Sequence, residues 1–144
     1  MPSLLIHRAQ AIASVDDDNR VWHDASLLVR NGRIEAIGDA DDWASATDQV
    51  DEVIDGQGLL VTPGLINTHH HMYQSLTRAI PAVQNAELFS WLRGLYPIWA
   101  GLTPEMVQVS TQVAMAELLL SGCTTSSDHL YIYPNGVRLD DSIE

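Results

Sequence analysis

In GLTPEMVQVSTQVAMAELLLSGCTTSSDH, residues 101–129, a helix marked at both ends runs straight into a strand. Thr103 suits the N-cap, Pro104 the first helical position, and Glu105 the positive end of the helix dipole. Val109, Val113, Ala116 and Leu120 fall on one helical face, and Gly122 suits the C-terminal cap. CTTSSDH follows at once as a strand. Ahead of the helix, LINTHHH (residues 65–71) reads as a buried strand, and Ala86–Tyr96 has helical spacing that Pro97 should close. Strand, helix and strand joined by short links form a βαβ pattern, and its strands must run parallel. That pattern leaves little besides an α/β fold.

The first 62 residues have a different texture. Leu4–Ala13 reads as a strand. Leu27–Val29 and Ile34–Ile37 flank Asn31-Gly32, a dipeptide that tolerates the positive φ angles of a tight hairpin. EVIDGQGLLVTPG adds two short strand-like pieces around Gly56 and Gly58. We therefore expect a small antiparallel β-unit over residues 1–62 and βα units over 63–144, divided at Thr62-Pro63-Gly64. There is no internal repeat and no low-complexity linker. The tail YPNGVRLDDSIE stops without a terminating signal, so a truncated chain is expected.

Charge excludes one class of function. Nineteen acids stand against seven arginines and no lysine, for a net charge of −12. Nucleic acid demands a basic face, so it is not an expected partner. The acids cluster toward the N-terminus, as in SVDDDNR and GDADDW, and read as a solvated surface. No segment has the apolar length to span a membrane, and MPSLLIHRAQ lacks the pattern of a secretory signal. Cys123 is the only cysteine, so no intrachain disulfide is expected and the cytoplasm is the default location.

Three of the six histidines are consecutive, His69-His70-His71. On a strand, alternate side chains share a face. His69 and His71 would then point together and His70 opposite. Two imidazoles so placed can converge on one metal ion; on a helix the same pair would diverge by about 200°. His-x-His is common by itself, and the residues alone leave a structural role open. Other zinc chemistries lack their residues: there is no His-Glu-x-x-His, and one cysteine cannot furnish a cytidine-deaminase type of site.

VTPGLINTHHHMYQSL, with its Pro-Gly turn leading into a strand that ends in His-x-His, resembles the amidohydrolase superfamily. NTHHHMYQSLTRA, NAELFSWL and SGCTTSSDHLYIYPNG together resemble its 8-oxoguanine deaminase branch, near the guanine deaminases and triazine hydrolases. The resemblance implies the start of a (β/α)8 TIM barrel preceded by part of a β-sandwich. A closed barrel needs about 250 residues, so residues 63–144 would hold only its first βα units, and the remaining metal ligands would lie beyond Glu144.

The resemblance further implies one divalent metal, zinc, bound by His69 and His71. It implies hydrolytic deamination of a small purine-like substrate, 8-oxoguanine plus water giving urate and ammonia. Gln74 would contact the ring, and Trp91 would stack on it or exclude water. Trp99, Phe89 and Tyr96 are expected in packing and Cys123 as a small buried residue. Asp128 and His129 should end the second strand and border the site without ligating. Whether the full-length enzyme is a homo-oligomer stays open. Two alternatives stand beside this reading. One is a related amidohydrolase acting on guanine, s-triazines or S-adenosylhomocysteine-like nucleosides. The other is a non-catalytic β-rich domain with structural histidines.

Overall fold

The computed structural model describes residues 2–143. The chain divides into two units, Met1–Pro63 and Gly64–Glu144.

In the first unit, β1 (Ser3–Ala13), β2 (Val21–Arg30) and β3 (Arg33–Asp39) form an antiparallel meander. Asn31 and Gly32 turn the β2–β3 hairpin with φ of 54° and 72°. Both values are the positive ones a two-residue hairpin demands. The rest of the sheet departs from the expected antiparallel unit. β4 (Glu52–Asp55) and β5 (Leu60–Val61) both pair with β1 in parallel, giving the order β3-β2-β1-β4 with β5 also on β1. The reason is the connection: after β3 the chain runs through a 3-10 segment, Ala40–Gln49, and returns on the other edge of β1. A returning crossover permits parallel pairing where a hairpin would not. Among the described residues this unit is one mixed sheet. Ala9, Ile12, Ala25 and Leu27 form its buried centre.

In the second unit, β6 (Leu65–Asn67) and β7 (Cys123–Ser126) pair in parallel, as the strand–helix–strand pattern requires. Between them lie α1 (Leu88–Trp99) and α2 (Pro104–Leu120). Three details differ from expectation. First, Pro97 lies inside α1 and does not close it. Proline removes only its own N–H bond, and the Ala100 amide still donates to Tyr96 O at 2.9 Å. Second, the buried face of α2 is Val107, Ser110, Thr111 and Ala114, while Val109 is 42% and Leu120 90% exposed. This helix is apolar on several sides, so periodicity could not choose between them. Packing chose the side with small residues: Ser110 Oγ donates to Met72 O at 2.7 Å. Third, β6 is short and its Leu65 and Ile66 are exposed, because a two-stranded sheet has one partner strand only.

The helix ends behave as their residues predict. Thr103 Oγ1 accepts from the Met106 amide at 3.3 Å, and Gly122 follows the C-cap with φ of 84°. The core of this unit gathers Tyr73, Leu95, Trp99 and Val107, with Tyr73 supplied by the segment that follows the histidines.

Candidate metal centre

The histidines stand just past the end of β6, since the strand stops at Asn67. Their convergence is therefore not a product of strand alternation, and that expectation is corrected. An Asx turn replaces the strand: Asn67 Oδ1 accepts from the His69 amide at 3.1 Å. The chain then turns at His71 (φ −129°, ψ 81°) into a 3-10 segment, Met72–Thr77. The outcome is still a facing pair, with His69 Nε2 and His71 Nε2 3.1 Å apart. The two rings meet edge to face at 83°. His70 is outside this pair, and its Nδ1 is buried with no hydrogen-bond partner among the described residues.

The segment after β7 holds the pair from the other side. Two backbone bonds tie the segments together beyond the strand ends, from the Ser127 amide to Asn67 O and from the His129 amide to His70 O, both at 2.9 Å. Asp128 Oδ1 accepts from the amides of Met72 and His129, each at 2.8 Å. His71 Nδ1 then donates to His129 O at 2.9 Å. A carbonyl can only accept, so the His71 proton sits on Nδ1 and its Nε2 carries the free lone pair. Backbone carbonyls orient metal-ligating histidines in this way in many sites.

The donor set fits a zinc ion. Two Zn–N bonds of about 2.0–2.1 Å at a tetrahedral angle place their nitrogens about 3.3 Å apart, close to the spacing found. With His71 Nε2 as acceptor, a proton on His69 Nε2 would make the 3.1 Å contact a hydrogen bond. Moving the His69 proton to Nδ1 would turn that hydrogen bond into a pair of lone pairs facing one ion. Among the described residues no third histidine, cysteine, aspartate or glutamate joins them.

An open cleft of about 260 Å3 is lined by His69, His70, His71, Gln74, Ser75 and Arg78. Gln74 thus shares the cleft with both histidines. Its Nε2 donates to Tyr73 Oη at 2.9 Å and Tyr131 Oη at 3.1 Å. Arg78 grips Glu117 with two bonds, at 2.6 and 2.7 Å, and so holds that carboxyl below its usual range. Trp91 lies elsewhere: it packs half-buried against the aromatic core, 5.3 Å from Trp99 by ring centroid. From Trp99 the edge-to-face contacts run on to Tyr73 and from Tyr73 to His71. Trp99 is fully buried, as expected, whereas Phe89 and Tyr96 are exposed. Cys123 is buried and its thiol donates to Thr125 O. Sequence reasoning did not find Tyr131 or Arg78, and it credited Asp128 and His129 only with bordering the site. A backbone carbonyl has no residue signature, and nothing in the sequence announces which tyrosine reaches a glutamine 57 positions away.

A model of the amidohydrolase family matches residues 60–142. The chain is 51% identical over 113 residues to 8-oxoguanine deaminase of Pseudomonas aeruginosa, covering 78% of this chain and 24% of that protein. It is 38% identical over 120 residues to hydroxydechloroatrazine ethylaminohydrolase of a Pseudomonas species, covering 78% and 25%. Among solved structures it resembles atrazine chlorohydrolase from Arthrobacter aurescens TC1 complexed with zinc. That match has a TM-score of 0.85 at 30% identity and covers 97% of this chain and 32% of the other. The chain therefore spans about a quarter to a third of the length of the proteins it matches.

Proposed function

The chain belongs to the amidohydrolase family, and from that premise we propose that it carries part of the active site of a zinc-dependent hydrolytic deaminase whose substrate is 8-oxoguanine. The observation that carries this reading is the His69–His71 pair, two Nε2 atoms 3.1 Å apart with one tautomer set by a backbone carbonyl. The choice of substrate is supported by the relative of 51% identity.

In this proposal His69 and His71 supply two of the metal's ligands through Nε2. The domain division proposed is the one expected from sequence: residues 1–62 as the β-unit and 63–144 as the first βα units of the barrel. A bound zinc lowers the pKa of a water from about 16 to about 7, which makes a nucleophile available at neutral pH. The net reaction adds water at the carbon bearing the exocyclic amine and releases ammonia, leaving urate. Gln74 hydrogen-bonds the ring edge and fixes which carbon faces the histidines. His71, held through Nδ1, keeps its lone pair aimed throughout. Trp91 acts from behind, since its contact with Trp99, which in turn packs on Tyr73, stiffens the cleft wall and keeps water from that side.

A substrate panel tests the assignment. The zinc-loaded enzyme, at the length of its relatives, is assayed for ammonia release from 8-oxoguanine, guanine, an amino-s-triazine and S-adenosylhomocysteine. We expect kcat/KM for 8-oxoguanine to exceed each of the others by about tenfold or more, a difference of about 1.4 kcal/mol in the barrier. Preference for the triazine or the nucleoside would move the protein to a different branch of the family. Bound zinc without turnover of any of them would favour the non-catalytic reading.

A further inference from the structure

Gln74 Nε2 touches two phenol oxygens at once, Tyr73 Oη and Tyr131 Oη. The polarity of this contact decides what the amide offers the cleft. The bonds run from the nitrogen; an amide oxygen in that position would accept from the hydroxyls and leave both N–H groups for the cleft. An amide nitrogen instead gives one hydrogen to each hydroxyl, and the Tyr73 proton remains free to point at its neighbour. Tyr73 is fully buried. Tyr131 is itself packed edge to face against the rings of His71, Tyr73 and His129. It therefore cannot swing away without disturbing the His71 ring. With both Gln74 N–H groups spoken for, only Oε1 remains to face a ligand.

We propose that Tyr73 and Tyr131 are positioning residues that lock the Gln74 amide with its carbonyl oxygen toward the cleft, making the cleft selective for rings that present an N–H at that edge. This rests on the deaminase reading for its choice of ring and deepens it to a substrate class. Oxo-purines whose five-membered ring carries N–H at both nitrogens satisfy the acceptor in either orientation. A ring with one bare nitrogen there sets lone pair against lone pair in one orientation. Sites built on a hydrogen bond reject the partner that cannot make it more strongly than sites built on shape.

The test compares dissociation constants of 8-oxoguanine and guanine, measured calorimetrically on the zinc-loaded enzyme with ammonia release followed in parallel. We expect the wild type to favour 8-oxoguanine by about tenfold or more. Tyr131→Phe, which frees the amide to rotate, should shrink that ratio at least about threefold with zinc content unchanged. Gln74→Glu, which offers an oxygen in every rotation, should keep the preference, and Gln74→Met should lose it. These two variants stand as the test if Tyr131→Phe does not fold. A ratio unmoved by Tyr131→Phe, or lost equally in Gln74→Glu and Gln74→Met, would overturn the proposal. Loss of ammonia release with the binding ratios as expected would instead remove the deaminase reading and leave the Gln74 assignment standing.

Discussion

A neutral imidazole ligates metal only through the nitrogen that lacks a proton, so a histidine site depends on whatever holds the other nitrogen. At His71 that holder is the His129 carbonyl, and Asp128 ties the two backbones together, its Oδ1 accepting from the amides of Met72 and His129. We predict that Asp128→Ala weakens zinc binding by about 10–100-fold, the usual cost of removing an outer partner, although Asp128 touches no metal. Competition with a calibrated chelator would measure it; unchanged affinity would show that the His129 carbonyl is held without the carboxylate. That His69 and His71 face each other was legible in HHH, but for an incomplete reason. Alternation on a strand pointed to His69 and His71, while the structure brings them together through an Asx turn at Asn67. Residue type at a given spacing survives such a change of mechanism. A carbonyl or a phenol partner leaves no comparable trace.

At the scale of elements, turns and helix ends were legible and faces were not. Asn31-Gly32, Thr103 and Gly122 each act through their own backbone preference, which is local. The buried side of α2 depends on what lies against it, and a helix carrying Val, Met and Leu on several sides does not say. Gly56 illustrates a position fixed by its neighbours. A Cβ there would lie 2.7 Å from Ala9 N and 2.9 Å from His7 O, both backbone atoms. We predict that Gly56→Ala costs about 1–3 kcal/mol, the range for forced overpacking, seen as a shift of the urea midpoint; no shift would mean that the β1–β4 crossing is looser than described.

The turn between β1 and β2 supplies a pH signature. Hydrogen bonds from Ser14 first, and then from Arg20, hold the Asp16 carboxyl at about 2 instead of 3.8. A depressed carboxyl stabilises the fold above its unfolded value and loses that contribution as pH falls through the folded one. Asp16→Asn should therefore melt below the wild type at neutral pH, and the difference should vanish between pH 4 and pH 2. A difference that stays constant across that window would exclude the carboxylate as its source. Turnover in the assembled enzyme should not change, because Asp16 lies in the first unit's surface turn and carries solvent-facing charge.

For the whole molecule, two convergent ligands fall short of a catalytic zinc site, which takes three protein ligands and keeps one position open. No third ligand is present among the described residues. We expect residues 1–144 alone to bind zinc weakly and to release no ammonia from 8-oxoguanine. The exposed Leu65 and Ile66 on the two-stranded β6–β7 sheet should also drive self-association, measurable by sedimentation; a monomer at high concentration would contradict that. Family and fold class were legible because the matched motifs run through most of the chain. The mixed pairing of the first sheet was not, since pairing to a distant edge has no local signature. The central claim, that His69 and His71 together hold the metal, is tested most directly by zinc content. The enzyme at the length of its relatives is purified with His69→Ala, His70→Ala or His71→Ala, and bound zinc is measured per chain beside ammonia release. Loss of zinc and turnover in the first and third variants, with zinc retained in His70→Ala, is the predicted result. Equal loss in all three, or zinc retained in His69→Ala and His71→Ala, would contradict it.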